Sequence, residues 1–173
     1  MTSQIDLNKY DSQQRCAALI SHYENIEDKP KNHRDFWRDL SAFWPTFDNI
    51  DHDAIQNLML NTLYRHAYLT KARQRDLDAL FPNEDVLEIY RGQNDHRCGR
   101  NYVTGLAWTT DIHVAEKFAR NGIRGVTVGT PYILKAVINK RDIAMAFTER
   151  GESEVVMFDM DMDVETVELD VSK

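Results

Sequence analysis

Val86-Leu-Glu-Ile-Tyr-Arg-Gly-Gln93, Gly105-Leu-Ala-Trp-Thr-Thr-Asp111 and Arg150-Gly-Glu-Ser-Glu-Val-Val156 are the stretches whose reading decides the fold. Each sets polar or charged groups at the end or in the middle of a short, strand-like apolar run, where a fold presents chemistry on a rigid support. Together they supply an arginine (Arg91), a hydroxyl pair (Thr109 and Thr110) and two glutamates two positions apart (Glu152 and Glu154). Residues two apart in a strand point to the same face. Two carboxylates on one face repel each other unless a ligand or reaction uses them. The three stretches are therefore expected to converge on one site, with Arg91 at a strand end offering a planar fork of donors to phosphate or ribose oxygens.

Outward from these stretches, the C-terminal half reads as strands with one helix. Strands are expected over Val86–Tyr90, Leu106–Thr109, Tyr132–Asn139, Ile143–Phe147, Ser153–Phe158 and Val164–Val171. Between the second and third, Asp111 caps a helix over His113–Arg120 with Ala115, Phe118 and Ala119 facing inward, and Asn121-Gly122 closes it. Residues 93–104 are polar and loop-like, and a Gly-rich stretch runs from Gly122 to Pro131.

The N-terminal half reads differently. Asp11-Ser12 caps a helix through about Tyr23, with Ala17, Leu19, Ile20 and Tyr23 on its apolar side. Asn32 caps a second through Trp44, where Phe36, Trp37, Leu40, Phe43 and Trp44 keep helical spacing until Pro45 stops it. A third starts near Asp51 or Asp53 and runs through Ile55, Leu58, Met59, Leu63 and Tyr64. Leu69 to Leu80 either continues it or forms a separate helix. The aromatic cluster reads as core. The fold class is α+β: an N-terminal helical segment over residues 1–82, then a small mixed β-sheet domain of five or more strands over 83–173, the two forming one compact domain together.

Composition narrows the function classes. The chain has 173 residues, 42% apolar and 28% charged, which suits a globular protein. No stretch approaches the roughly 20 apolar residues of a membrane span, and the first ten residues lack a signal-peptide core. Two cysteines, Cys16 and Cys98, in segments of different character argue against a disulfide scaffold or a cysteine metal site and for a cytoplasmic setting. The net charge of −7 is uneven: residues 1–85 carry 10 Lys/Arg against 14 Asp/Glu, residues 86–151 carry 10 against 6, and residues 152–173 carry 1 against 8. The positive stretch suits an anionic ligand, whereas the whole chain is no general nucleic-acid binder. The histidines show no metal spacing. Asp159-Met-Asp161-Met-Asp163 opens like a calcium loop, but Val164 stands where the glycine belongs and Asp170 where the bidentate glutamate belongs, so it reads as an acidic turn. No metal is expected.

Taken together, Tyr90-Arg91-Gly92, then Trp108-Thr109-Thr110 followed by the helix Val114-Ala-Glu-Lys-Phe-Ala119, then Glu152-Ser153-Glu154, resemble the arginine-type mono-ADP-ribosyltransferases. That family is marked by an arginine, a Ser-Thr-Ser-like strand and a Glu-x-Glu pair, and the likeness is greatest to its small bacterial and phage-encoded members. It covers residues 86–158, less than half of the chain; order, spacing and helix tail together carry it. The resemblance implies an ADP-ribosyltransferase-type sheet and NAD as substrate. Arg91 and Gly92 would hold the NAD phosphate or ribose, Thr109 and Thr110 would support the pocket, and the stretch Asn121–Thr130, including Arg124, would close over NAD with Phe118 beside it. Glu154 would bind the nicotinamide ribose 2′-hydroxyl and stabilise the oxocarbenium-like transition state. Glu152 would orient or deprotonate the acceptor, which the family pairs with arginine when a glutamate stands there. Ala146–Gly151 would be the acceptor-recognition turn, with Phe147 a contact. The strand's usual first serine is Ala107 or Trp108 here, so Thr109 must do its work.

Three functions fit these residues. The first is mono-ADP-ribosylation of a protein, at arginine, in the cytoplasm of the producing or infected cell. The second is a NAD glycohydrolase that uses the same groups with water. The third is a non-catalytic binding module on the same fold, for which Ala107 argues and the glutamate pair argues against.

Overall fold

The structure is a computed structural model of the chain, and it describes residues 5–62, 69–81, 85–94, 105–122, 129–148 and 153–169. The chain divides into two compact units, Met1–Gln74 and Arg75–Lys173. The division falls inside a helix, ahead of the Pro82 boundary expected from the sequence.

The first unit is helical. Helix α1 spans Arg15–Tyr23, α2 Pro30–Phe43 and α3 His52–Leu60. Asp11 caps the turn that leads into α1, its carboxylate accepting from the backbone N–H groups of Gln13 and Gln14 at 3.0 Å each. Asp51 caps α3 by accepting from Ala54 N–H at 3.0 Å. The second cap is a correction. Pro30, whose fixed φ and missing N–H suit a first helical position, opens α2 with Lys29 before it. Asn32 is buried within the helix and donates from Nδ2 to the Glu27 carbonyl at 2.8 Å. At the other end Pro45 converts the chain into a 3₁₀ turn, Trp44–Thr46. The aromatic cluster is core: Phe36 packs edge-on against both Tyr23 (5.4 Å) and Trp37 (5.5 Å), and Trp37, Leu40, Trp44, Ile55 and Met59 are buried. Leu63 and Tyr64 lie outside the described residues. Helix α4, Lys71–Leu80, is a separate element that crosses the division between the units.

The second unit is built on a six-stranded sheet: β1 Val86–Gln93, β2 Ala107–Thr109, β3 Tyr132–Asn139, β4 Ile143–Phe147, β5 Glu154–Met157 and β6 Glu165–Glu168. Their order is β4-β5-β2-β1-β3-β6. The expected mixed sheet is antiparallel at every described pairing. The connections allow it: among the described residues the α-helix between strands, α5 (Ile112–Asn121), joins β2 to β3, which are not neighbours. Asp111 caps α5, accepting from His113 N–H at 2.8 Å, and Gly122, at φ 64°, closes it. Ala115 and Ala119 are buried as expected, but Phe118 is 45% exposed. The reason is the close approach of helix to sheet. A side chain at Gly92 would overlap the Ala115 carbonyl oxygen and come within 2.6 Å of the Ala119 nitrogen, so small residues fill that seam and Phe118 lies outside it. The sheet is apolar on both faces: Ile133 and Val156 share the face that Gly92 turns to α5, and Ile89, Trp108, Leu134 and Val155 lie on the other, all buried. Thr148 bonds Asp76 at 2.7 Å and Lys140 bonds Asp78 at 2.6 Å, tying the C-terminal part of α4 to this unit.

Candidate active site

The three sequence stretches, far apart in the chain, lie on adjacent strands. β5, β2 and β1 are consecutive in the sheet, with Thr109 opposite Glu154 and Tyr90 opposite Thr109. Directly opposed residues on antiparallel strands share a face, so Tyr90, Thr109 and Glu154 form one cross-strand row. Phe147 continues it opposite Glu154 on β4, and Lys135 continues it opposite Tyr90 on β3. Phe147 is buried at the end of its strand.

Glu154 is the first residue of β5 and is half-buried. Its neighbour Thr109 is buried and uses Oγ1 to accept from Asp111 N–H at 3.1 Å. Thr110 stands in the bend between β2 and α5, and its N–H donates to the Ser153 carbonyl at 3.1 Å. Thr109 thus supports both the carboxylate-bearing strand and the entry to α5. Trp108 is buried, and its ring N–H donates to the Gly105 carbonyl at 3.2 Å, so it packs the sheet.

Arg91 occupies a different position from the one expected. β1 runs on to Gln93, so Arg91 and Gly92 lie inside the strand and not beyond its end. Alternation sends the Arg91 side chain to the face opposite Tyr90, Thr109 and Glu154. There its Nη1 donates to the Ala107 carbonyl. A side chain at Gly105 would come within 2.7 Å of the guanidinium carbon, so this placement depends on the glycine. The Nε is buried with no hydrogen-bond partner. Burial pushes the guanidinium down to about 10, while the Glu154 carboxylate and, less strongly, Tyr132 act in the opposite direction. Arg91 therefore remains a cation at neutral pH and shares an electric field with Glu154, although the two side chains leave the sheet on opposite faces.

On the Glu154 face, beyond Tyr90, lies a second charged group. Glu88 pairs with Lys135 Nζ at 2.5 Å and accepts from the Tyr90 hydroxyl. The Lys135 contact first, then Tyr90, holds the Glu88 carboxyl below its usual range. Sequence reading missed this trio. The signal was available in the period-two spacing of Glu88 and Tyr90, but Lys135 comes from a strand whose register only the structure gives.

The glutamate pair is not carried by one regular strand. Ser153 has φ 44°, a left-handed backbone, so extended structure begins only at Glu154. The same-face argument for two residues in a strand does not extend across Ser153. Glu152 and Arg124 lie outside the described residues, as does most of the Gly-rich stretch. Among the described residues, no group of three or more His, Cys, Asp or Glu could hold a metal ion, and no helix is long and apolar enough to cross a membrane. Asp159–Asp163 forms a turn in which Asp159 accepts from Asp161 N–H at 3.0 Å. No protein-family model matches the chain, and neither does any curated protein or solved structure.

Proposed function

We propose that the chain is a NAD-dependent mono-ADP-ribosyltransferase of the arginine type, acting on a protein acceptor in the cytoplasm, with Glu154 as its catalytic carboxylate. The observation that carries this reading is the adjacency of β1, β2 and β5, which sets Thr109 directly opposite Glu154. An ADP-ribosyltransferase-type sheet would make use of this arrangement. A carboxylate at a strand end, half-buried and backed by a hydroxyl-bearing strand, is positioned to accept from the ribose 2′-hydroxyl. That contact strengthens as positive charge develops on the sugar and nicotinamide departs. Glu152 would act on the acceptor, and Arg124, Gly92, Thr110 and Phe118 would border NAD. For Arg91 to grip NAD oxygens directly, its guanidinium must leave the Ala107 carbonyl. Otherwise it serves as a strut between β1 and β2 and as a counter-charge to Glu154.

Glu154→Gln keeps the shape and removes the charge. It is expected to abolish nicotinamide release, by a factor of about 100 or more, while leaving the melting temperature close to that of the wild type. Glu152→Gln is expected to lose transfer to arginine and keep NAD hydrolysis. Unchanged turnover in Glu154→Gln would remove the assignment. A non-catalytic binding module is favoured by one observation, the engagement of Arg91 with a backbone carbonyl. Absence of NAD cleavage by the wild type would decide for it.

A further inference from the structure

We propose that the open end of the Glu154 face of the sheet is the docking surface for the acceptor protein, and that it takes a basic, arginine-bearing surface. The inference rests on the transferase reading of Glu154. Alternation and register place Val86, Glu88 and Tyr90 of β1, Lys135 and Val137 of β3 and Glu165 of β6 on the same face as Thr109 and Glu154. Helix α5 lies on this face against Gly92. On the far side of Tyr90 from Gly92 the strands are open. Val137 is 65% exposed and Val86 47%, and both Glu88 and Glu165 are exposed. Val137 stands opposite Glu88, which puts Val86 on its diagonal, so the two valines form one apolar spot and not scattered side chains.

Charge selects the partner. Among the described strand residues, the charged side chains on this face are Glu88, Glu154, Glu165 and Lys135, three carboxylates against one ammonium. The ammonium is already engaged: Lys135 Nζ bonds Glu88 at 2.5 Å, and Glu165 stands opposite it on β6. The Tyr90 hydroxyl also donates to Glu88. The surface therefore offers carboxylates and an aromatic ring on a rigid sheet, groups that receive guanidinium by charge-assisted hydrogen bonds and by stacking. An anionic ligand is disfavoured at this end of the face. Tyr90 stands two strand spacings, about 10 Å, from Glu154 along the cross-strand row. A partner seated beyond Tyr90 thus holds its arginine within reach of the reacting carboxylate.

The test is binding of a short, fluorescently labelled oligo-arginine peptide to the full-length protein at low salt, read as anisotropy, with nicotinamide release from NAD measured alongside. Val137→Lys and Glu165→Lys set a like charge against the peptide at exposed positions, and each is expected to weaken binding at least about fivefold. Asp161→Lys makes the same change of net charge as Glu165→Lys in the acidic turn, and should keep binding within about twofold of the wild type. Nicotinamide release should be unchanged in all three, because none of these side chains is assigned to NAD. If one of the face variants does not fold, as its melting temperature would show, the other carries the comparison. Equal weakening by Asp161→Lys would make the binding a matter of net charge and overturn the inference. A wild-type dimer in sedimentation that Val137→Lys dissolves would assign the face to a second copy of the chain, and also overturn it. Nicotinamide release without peptide binding removes the inference alone. Peptide binding without nicotinamide release removes the transferase reading, and with it the assignment of this surface to an acceptor.

Discussion

At the scale of single residues, the site region is shaped by what its glycines exclude. Gly92 admits the backbone of α5 so closely that any side chain would meet main-chain atoms, which cannot move aside without shifting the helix. Gly92→Ala is expected to destabilise the protein by about 3 kcal/mol, at the upper end of ordinary overpacking, measurable as a lowered denaturant midpoint. Gly105→Ala should cost less, about 1 kcal/mol, because the atoms it meets belong to the far end of the flexible Arg91 side chain. Its sharper effect is expected on Arg91, which would be driven from the Ala107 carbonyl. Should Gly105→Ala prove the more damaging of the two, the packing of α5 on β1 would be wrong. Gly92 was legible in the sequence only as part of Tyr90-Arg91-Gly92. The helix that makes it obligatory begins twenty residues later, at Ile112 (112 − 92), and that distance is why composition alone did not reveal it.

At the scale of elements, the N-terminal helices are joined by a buried polar contact that responds to pH. The Tyr23 hydroxyl on α1 donates to the Asp39 carboxylate on α2 at 2.6 Å, and Arg38 Nε bonds the same carboxylate at 2.9 Å. Burial first, then the bond to Asp39, raises the Tyr23 hydroxyl well above its ordinary range. Above about pH 10 an unfolded chain loses this proton while the folded chain keeps it, so the folded state binds more protons and stability falls as pH rises. Below that range the contribution is fully present. Thermal unfolding between pH 9 and 11 is expected to show the decline, and Tyr23→Phe should flatten it while lowering stability at neutral pH. A wild-type slope no steeper than that of Tyr23→Phe would contradict the contact.

Legibility at this scale followed the strength of local signals. Tyr132–Asn139 and Ile143–Phe147 were read to the residue because alternation or a short apolar run is bounded by clear turn residues. Asp111 was readable as a cap because it stands directly before a periodic run, whereas the start of α3 was read only as near Asp51 or Asp53, and the structure gives Asp51 as its cap. Asn32 misled because the same residue type also serves as a buried side-chain donor, and Pro30 was the stronger signal. Phe118 misled because helical spacing marks a face but not how near the sheet stands. At the site, the convergence of three segments was legible from their strand-like character. The opposite facing of Arg91 and Glu154 was not, because it depends on the register of β1 against β2.

At the scale of the whole molecule, charge is unevenly distributed: Arg91 and Thr109 lie in the positive stretch, and Glu154 lies in the acidic one. Residues 86–151 carry 10 Lys/Arg against 6 Asp/Glu within a chain of net charge −7, but the second unit as a whole, residues 75–173, carries 12 against 18, so the positive charge is local to the strands and connections around the candidate site. The sheet of that unit supplies the carboxylate, its supporting hydroxyl and the cap of α5 from segments that only the fold brings together. The central claim is that this arrangement cleaves NAD at the nicotinamide ribose. The most direct measurement is incubation of the pure protein with NAD labelled on the adenylate, with and without cell lysate, following nicotinamide release and label on protein together. The account predicts nicotinamide release from the wild type, none from Glu154→Gln, and label on lysate protein that hydroxylamine removes as expected for arginine linkage. No nicotinamide release by the wild type, with no NAD binding by calorimetry, would contradict it.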